Sequence, residues 1–177
     1  MAIFAPVLRS LESVDVPYLV IGGHAVVLLG HYRNTFDLDL LISESHLERA
    51  HQRLSSLGYR KYFETTAFLQ LSAPAGLPPL DLMIVDQTTF ERLNEFTEER
   101  LFDGERILIP DAVHLIALKL HAAQNASRRR IEVDWEDIVG VLRAAHQNID
   151  DPEFRAIVDR YGGPKANEEI KRRLTSS

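Results

Sequence analysis

The chain has 177 residues, with 20 Lys+Arg against 26 Asp+Glu and a formal net charge of −6. At 45% hydrophobic and 26% charged residues it has the balance of a folded globular protein, so wholesale disorder is excluded, and the length suits one domain or one with an appended subdomain. The absence of cysteine excludes disulfides, thiolate-bound zinc and thiol catalysis, and the acidic total argues against a general nucleic-acid coat, bulk DNA binding included.

Ile3, Phe4, Val7, Leu8 and Leu11 recur at helical spacing. Pro17 opens the apolar run Tyr18-Leu19-Val20-Ile21, of strand length, which ends in Gly22-Gly23; His24 to Leu29 continues without alternation, as a buried helix after a glycine turn. This run is too short and too broken to span a bilayer, and Met1-Ala2-Ile3-Phe4 lacks the basic start of a secretory signal, so the expected location is the cytoplasm. From Thr35 to Ile42 the apolar period switches to two, which predicts a strand. Ser43 or Ser45 caps a helix whose Leu47, Ala50, Leu54 and Leu57 form a stripe ended by Gly58. Two strand-like pieces follow, near 59–63 and 67–72, and a loop containing Pro74, Gly76, Pro78 and Pro79 leads into Leu80–Val85, with Asp86 as a turn or cap residue. Thr88 or Thr89 begins a short helix, and Gly104 introduces the strand Arg106–Pro110. Beyond it Ala112–Ala123, Ile131–His146, Pro152–Tyr161 and Pro164–Leu174 all have helical patterns, with Asp111, Asp151 and Gly162-Gly163 as end signals. The expected fold is therefore α/β (α+β): a mixed β-sheet with flanking helices over residues 1–110, then a helical subdomain over 111–177 that closes the cleft.

The chemistry-bearing residues are acidic. Asp37 and Asp39 stand two apart on the predicted strand, so their side chains share one face while Leu38, Leu40 and Ile42 take the other. Such a pair is either a solvated edge or a repelling pair that a divalent cation relieves, and oxygen-only ligands favour Mg²⁺ or Mn²⁺. Asp81, in an apolar strand where a charge is costly unless it faces a ligand or water, supplies a third carboxylate. Three carboxylates suit two metal ions about 3.5–4 Å apart, one at the nucleophile and one at the leaving phosphate. Gly22-Gly23, between strand and helix, exposes backbone N–H groups to an anion. It is neither a P-loop nor a dinucleotide fingerprint, because no Gly-Lys-Ser/Thr follows and the third glycine is missing.

Leu19-Val20-Ile21-Gly22-Gly23, 13 intervening residues and then Asp37-Leu38-Asp39-Leu40-Leu41-Ile42 together resemble the signature of DNA polymerase β-type nucleotidyltransferases, with Asp81 as the later third carboxylate. Arg33-Asn34-Thr35-Phe36, Ile109-Pro110-Asp111 with Leu115–Leu120, and Arg129-Arg130 with Asp134-Trp135-Glu136-Asp137-Ile138 resemble the small prokaryotic AbiEii-type branch. The resemblance covers about residues 17–145; Gly23 stands where a serine is commoner, so backbone amides replace a hydroxyl contact. It implies transfer of a nucleoside monophosphate from an NTP, such as ATP, to an acceptor hydroxyl, with release of pyrophosphate. It further implies that Asp37 and Asp39 bind both metals and that Asp81 binds one and accepts the hydroxyl proton. Gly22 and Gly23 would hold the triphosphate, with Arg33, Thr35 and Lys119 as further nucleotide contacts.

For the supporting cations the residues leave two readings. Lys119, in an otherwise apolar stretch, either snorkels to solvent or points at an anion, and Arg33 is either a phosphate or base contact or a surface arginine. Arg128-Arg129-Arg130 is either a solvated helix start balanced by Glu132, Asp134, Glu136 and Asp137 or, with Lys165, Lys171, Arg172 and Arg173, a landing site for a polyanion. The histidines form no His-Glu-x-x-His motif, and no Gly-x-Ser-x-Gly occurs. Three functions compete. The first is a nucleotidyltransferase toxin acting on RNA, such as tRNA, or on a protein, with a cognate antitoxin as partner. The second is an antibiotic nucleotidyltransferase of the aminoglycoside type. The third is a catalytically degenerate scaffold.

Overall fold

The computed structural model describes residues 3–124 and 128–175, and the side chains of residues 128–130 lie outside the description. The chain divides into two units, an α/β unit of Met1–Ala25 with Asn34–Pro110, and a helical unit of Val26–Arg33 with Asp111–Ser177.

The α/β unit starts with α1 (Ala5–Glu12), where Pro6 occupies the first turn and its missing N–H costs nothing. Val7, Leu8 and Leu11 of that helix are fully buried. β1 (Leu19–Val20) is only two residues long and leads into α2 (Gly22–Leu28). β2 (Leu38–Ser43) follows, and the Ser43 hydroxyl accepts from Ser45 N to open a single 3₁₀ turn before α3 (Leu47–Ser56). Gly58, at φ 95°, ends this helix as its position predicted. β3 (Arg60–Glu64), β4 (Phe68–Ser72) and β5 (Leu80–Val85) come next, then α4 (Gln87–Glu95), whose N-cap is Asp86, accepting from Thr89 N. The five strands lie in the order β1-β2-β5-β4-β3, with β2 and β5 parallel and every other pairing antiparallel.

Register divides this sheet into two unlike faces, because paired residues point the same way and neighbours along a strand alternate. Leu38, Leu40, Ile42, Leu80, Leu82, Ile84, Leu69 and Leu71 share one face, and all are buried. Asp39, Asp81 and Gln70 share the other and are half-buried. The alternation that predicted a strand over residues 35–42 therefore sorted core from surface correctly, while the strand itself begins later, at Leu38.

A second, two-stranded sheet joins β6 (Thr97–Phe102) to β7 (Glu105–Pro110). Asp103 and Gly104 turn the hairpin with φ of 52° and 87°, the two positive angles that let a two-residue turn match strand twist. The Asp103 carboxylate also accepts from Phe4 N at 2.7 Å and Ala5 N at 3.1 Å, tying α1 to the hairpin. Asp103→Ala removes the acceptor and, at positive φ, the short polar side chain that eases that backbone. It is expected to lower stability by about 1–2 kcal/mol in urea unfolding, and Asp103→Asn by less, since asparagine tolerates that backbone.

In the helical unit, Asp111 caps α5 (Ala112–Ala123) by accepting from His114 N, and Asp151 caps α7 (Pro152–Gly162) by accepting from Glu153 N and Phe154 N. Between them runs α6 (Arg128–Ala144), and α8 (Ala166–Thr175) closes the order. Leu115, Ile116, Leu120, Ile138, Val141, Leu142, Phe154, Val158 and Ile170 are among its buried apolar residues. The segment Val26–Arg33 is part of this unit for a visible reason: a Cβ at Gly140 of α6 would lie 2.1 Å from the His31 ring, so the ring lies against bare backbone. Among the described residues no helix is long and apolar enough to cross a membrane.

Candidate active site

β1 ends against the acidic strand. Ile21 N donates to Asp39 O at 3.0 Å, extending the antiparallel ladder one step beyond β1. The chain then turns at Gly22, at φ 62°, into α2. A Cβ on Gly22 would stand 2.0 Å from Asp39 Oδ2, so both the backbone angle and the space demand glycine here. The first glycine of the Gly22-Gly23 pair thus lets the Asp39 carboxylate lie directly on the turn.

Asp39 faces Asp81 across the parallel pair β2/β5, residue to residue. On the other side of Asp81 stands Gln70 of β4, in register with it, and its Nε2 donates to Asp81 Oδ2 at 2.8 Å. Gln70 was not singled out from the sequence. Its signal was there: one amide in Phe68-Leu69-Gln70-Leu71, at the alternation position that faces away from the core. Asp37 is exposed and lies on the bend immediately before β2, because the ladder starts where Leu38 N donates to Pro79 O at 2.9 Å. Thr35 is half-buried in the approach to that bend. Desolvation first, and after it the charges of Asp81 and Asp37, raise the Tyr62 phenol above its ordinary value, although the residue is largely exposed.

Among the described residues no group of three His, Asp or Glu side chains is arranged to hold a metal. The donor chemistry nonetheless fits magnesium: two in-register carboxylates, all oxygen and half open to solvent. Mg²⁺ commonly takes one or two carboxylates and completes its shell with waters and substrate phosphate oxygens, whereas an all-protein cage is the habit of other ions.

The two predicted cations lie together in the helical unit. Lys119 is only 9% exposed, and its Nζ is 3.0 Å from Asp134 Oδ1 and 2.7 Å from Asp137 Oδ2. Arg33 Nε lies 3.3 Å from Asp137 Oδ1. Of the two readings of Lys119, it points at an anion, and the anions are the protein's own. Asp134 and Asp137 are three apart on α6, so they share a helix face; that spacing was the available clue to the pairing. The side chains of Arg128–Arg130 lie outside the described residues, as does any landing site built on them. A cavity of about 1060 Å³ within the helical unit is lined by His31, Tyr32, Trp135, Arg143 and Arg173 among others, and the Arg173 guanidinium stands over the Trp135 ring at 5.4 Å.

A family model described as an uncharacterised nucleotidyltransferase matches residues 1–170. The chain belongs to this nucleotidyltransferase family. No curated protein matches it significantly by sequence. Among solved structures, the nucleotidyltransferase is similar to ANT(2")-Ia in complex with adenylyl-2"-tobramycin, at 13% identity and a TM-score of 0.63 over 96% of this chain and 95% of that one. It is also similar to the lincosamide antibiotic adenylyltransferase LnuA with lincomycin bound, at 17% identity and a TM-score of 0.58 over 78% of this chain and 93% of that one. A putative nucleotidyltransferase from Thermotoga maritima aligns at 18% identity with a TM-score of 0.51, over 74% of this chain and 90% of that one. At these identities the likeness is one of fold, and it agrees with the mixed sheet and flanking helices expected from the sequence. The family model identifies a nucleotidyltransferase without singling out the AbiEii-type branch.

Proposed function

We propose that this nucleotidyltransferase transfers a nucleoside monophosphate from an NTP to an acceptor hydroxyl with Mg²⁺ or Mn²⁺, and that Asp39 and Asp81 are its catalytic centre. The observation that carries this reading is the in-register Asp39–Asp81 pair on the open face of the sheet, with Asp39 resting on the Gly22 turn. A bound divalent ion would neutralise charge on the phosphates and favour the deprotonated acceptor. The chain's own residues do the rest. Asp81 takes the proton as the acceptor oxygen bonds to the α-phosphorus and pyrophosphate departs. Gly22 and Gly23 offer backbone to the triphosphate, Thr35 a hydroxyl, and Asp37 a further carboxylate beside the metal. Arg33 and Lys119, which the resemblance assigned to the nucleotide, already have carboxylate partners, and we give them the task of holding the helical unit together.

Incubation of the protein with each labelled NTP, Mg²⁺ and cell extract tests the reaction. Label on a macromolecule or small molecule, lost in Asp39→Ala, supports it; equal labelling by both proteins, or by neither, refutes it. The antibiotic adenylyltransferases among the fold neighbours favour a small-molecule acceptor. The likeness of the 33–36 and 134–138 segments to the AbiEii-type branch favours a toxin acting on tRNA or a protein, with a cognate antitoxin. Expression in a sensitive host separates them, since one raises antibiotic resistance and the other slows growth. A scaffold without chemistry would show no thermal stabilisation by NTP with Mn²⁺, where a working site follows mass action.

Gln70 donates to one oxygen of Asp81 and so fixes how that carboxylate is turned. Gln70→Met keeps the side-chain length and removes the donor. Its kcat/KM is expected to fall about tenfold, the usual loss for a residue supporting a ligand, with an unchanged unfolding midpoint.

A further inference from the structure

The carboxylate row does not stop at Gln70. Asp39, Asp81, Gln70 and Phe63 are in register on β2, β5, β4 and β3, so the row crosses the sheet and ends on an aromatic ring at its edge. The neighbouring row on the same face holds Leu41, Met83 and Phe68. The edge strand is irregular at this point. Lys61 pairs with Leu71, on the core side, whereas Phe63 pairs with Gln70, on the open side, and the register shifts between them. A bulge of this kind breaks alternation and re-aims side chains, so Tyr62 and Phe63 both turn to the face that carries the acids. Tyr62 is 63%, Phe63 49% and Phe68 40% exposed. Single exposed apolar residues are ordinary, but several together beside a polar site mark a binding surface.

Neither row contains a lysine or arginine. A strand of RNA lies along cations that follow its phosphates, with its bases on aromatic rings; here the rings are present, but among the paired residues of this face the row beyond Gln70 holds a single cation, Arg60 opposite Ser72, too few to track a phosphate backbone. Flat rings beside carboxylates suit an uncharged or cationic ring compound. We propose that Tyr62, Phe63 and Phe68 form the acceptor platform: a small, non-anionic molecule lays an aromatic or alicyclic ring on them and directs a hydroxyl along the row toward Asp81. This rests on the transferase reading above and names its acceptor class. The hydroxyl oxygen would bond to the α-phosphorus, the bond to the β-phosphate oxygen would break with its electron pair leaving on pyrophosphate, and the hydroxyl proton would pass to Asp81.

The test is an NMR titration of ¹⁵N-labelled protein with phenyl β-D-galactopyranoside, without nucleotide or metal, and a parallel titration with octa-adenylate. The galactoside is expected to shift the amides of Tyr62, Phe63, Phe68 and Gln70. Phe63→Ser combined with Phe68→Ser is expected to raise its Kd about tenfold or more, the worth of two ring contacts. Leu101→Ser, at an exposed apolar residue of β6, serves as a control and leaves the Kd unchanged; the unfolding midpoints of both variants are taken alongside. No shift at those amides at millimolar galactoside, an unchanged Kd in the double variant, or stronger shifts of the same amides by octa-adenylate would each overturn the platform. Asp39→Asn separates the two proposals, because it removes transfer yet leaves galactoside binding intact.

Discussion

Asp39→Asn is expected to abolish nucleotidyl transfer and, in the same protein, to raise stability. Asparagine has nearly the shape of aspartate, so it fits against Gly22, where a Cβ would come within 2.0 Å of the carboxylate oxygen. What it loses is charge. Phosphoryl-type transfer is driven by positioning and charge neutralisation, and loss of one of the two paired carboxylates is expected to lower kcat/KM about a thousandfold, equivalent to about 4 kcal/mol of transition-state stabilisation. The effect on folding runs the other way. Without a cation, Asp39 and Asp81 are like charges side by side in register, which disfavours the folded state. Removing one is expected to raise the unfolding free energy by about 0.5–1 kcal/mol in metal-free buffer, and saturating Mg²⁺ should shrink the difference. Label-transfer rates and urea unfolding check the two halves. Transfer within about tenfold of wild type would place the chemistry elsewhere.

Lys119→Met carries the largest expected cost in stability. Its Nζ faces Asp134 and Asp137, side chains that are 9% and 2% exposed, and Asp134 Oδ2 has no hydrogen-bond partner among the described residues. With Arg33 the cluster is balanced, two cations to two anions. Methionine fills the volume and leaves two buried carboxylates sharing one guanidinium. Breaking a buried pair from one side costs about 3–5 kcal/mol, which for a chain of this size lowers Tm by about 10 °C. Adding Asp134→Asn should recover part of the loss by removing the surplus charge, and failure to recover would mean that the lysine is not answering that carboxylate. Unchanged stability with lost transfer would return Lys119 to the nucleotide, the role first expected from its resemblance.

Much of this was legible in the residues, and the limits have physical causes. Leu80–Val85 was found with both ends correct because its apolar run is bounded by prolines and by Asp86, a helix cap. The opposite faces of Asp39 and Leu40 followed from alternation alone. β6 was missed: Thr97-Glu98-Glu99-Arg100-Leu101-Phe102 is too polar to announce a strand, and it forms because the Asp103-Gly104 turn returns β7 to pair with it. Gln70 was missed because an uncharged amide carries no signal until a strand of distant sequence sets Asp81 beside it. Arg33, Lys119 and Asp137 each drew notice singly, but ion pairs are made by tertiary packing, and no spacing rule spans 33 to 137.

The short stretch Val26–Arg33 has a practical consequence for anyone dividing this protein. The obvious place to cut is after Pro110, where strands give way to helices. A fragment beginning at Asp111 would lack His31, whose ring lies against Gly140, and Arg33, which answers the buried Asp137. The helical half is therefore expected to fold poorly by itself, and to gain order on mixing with the residue 1–110 fragment that brings the missing eight residues back.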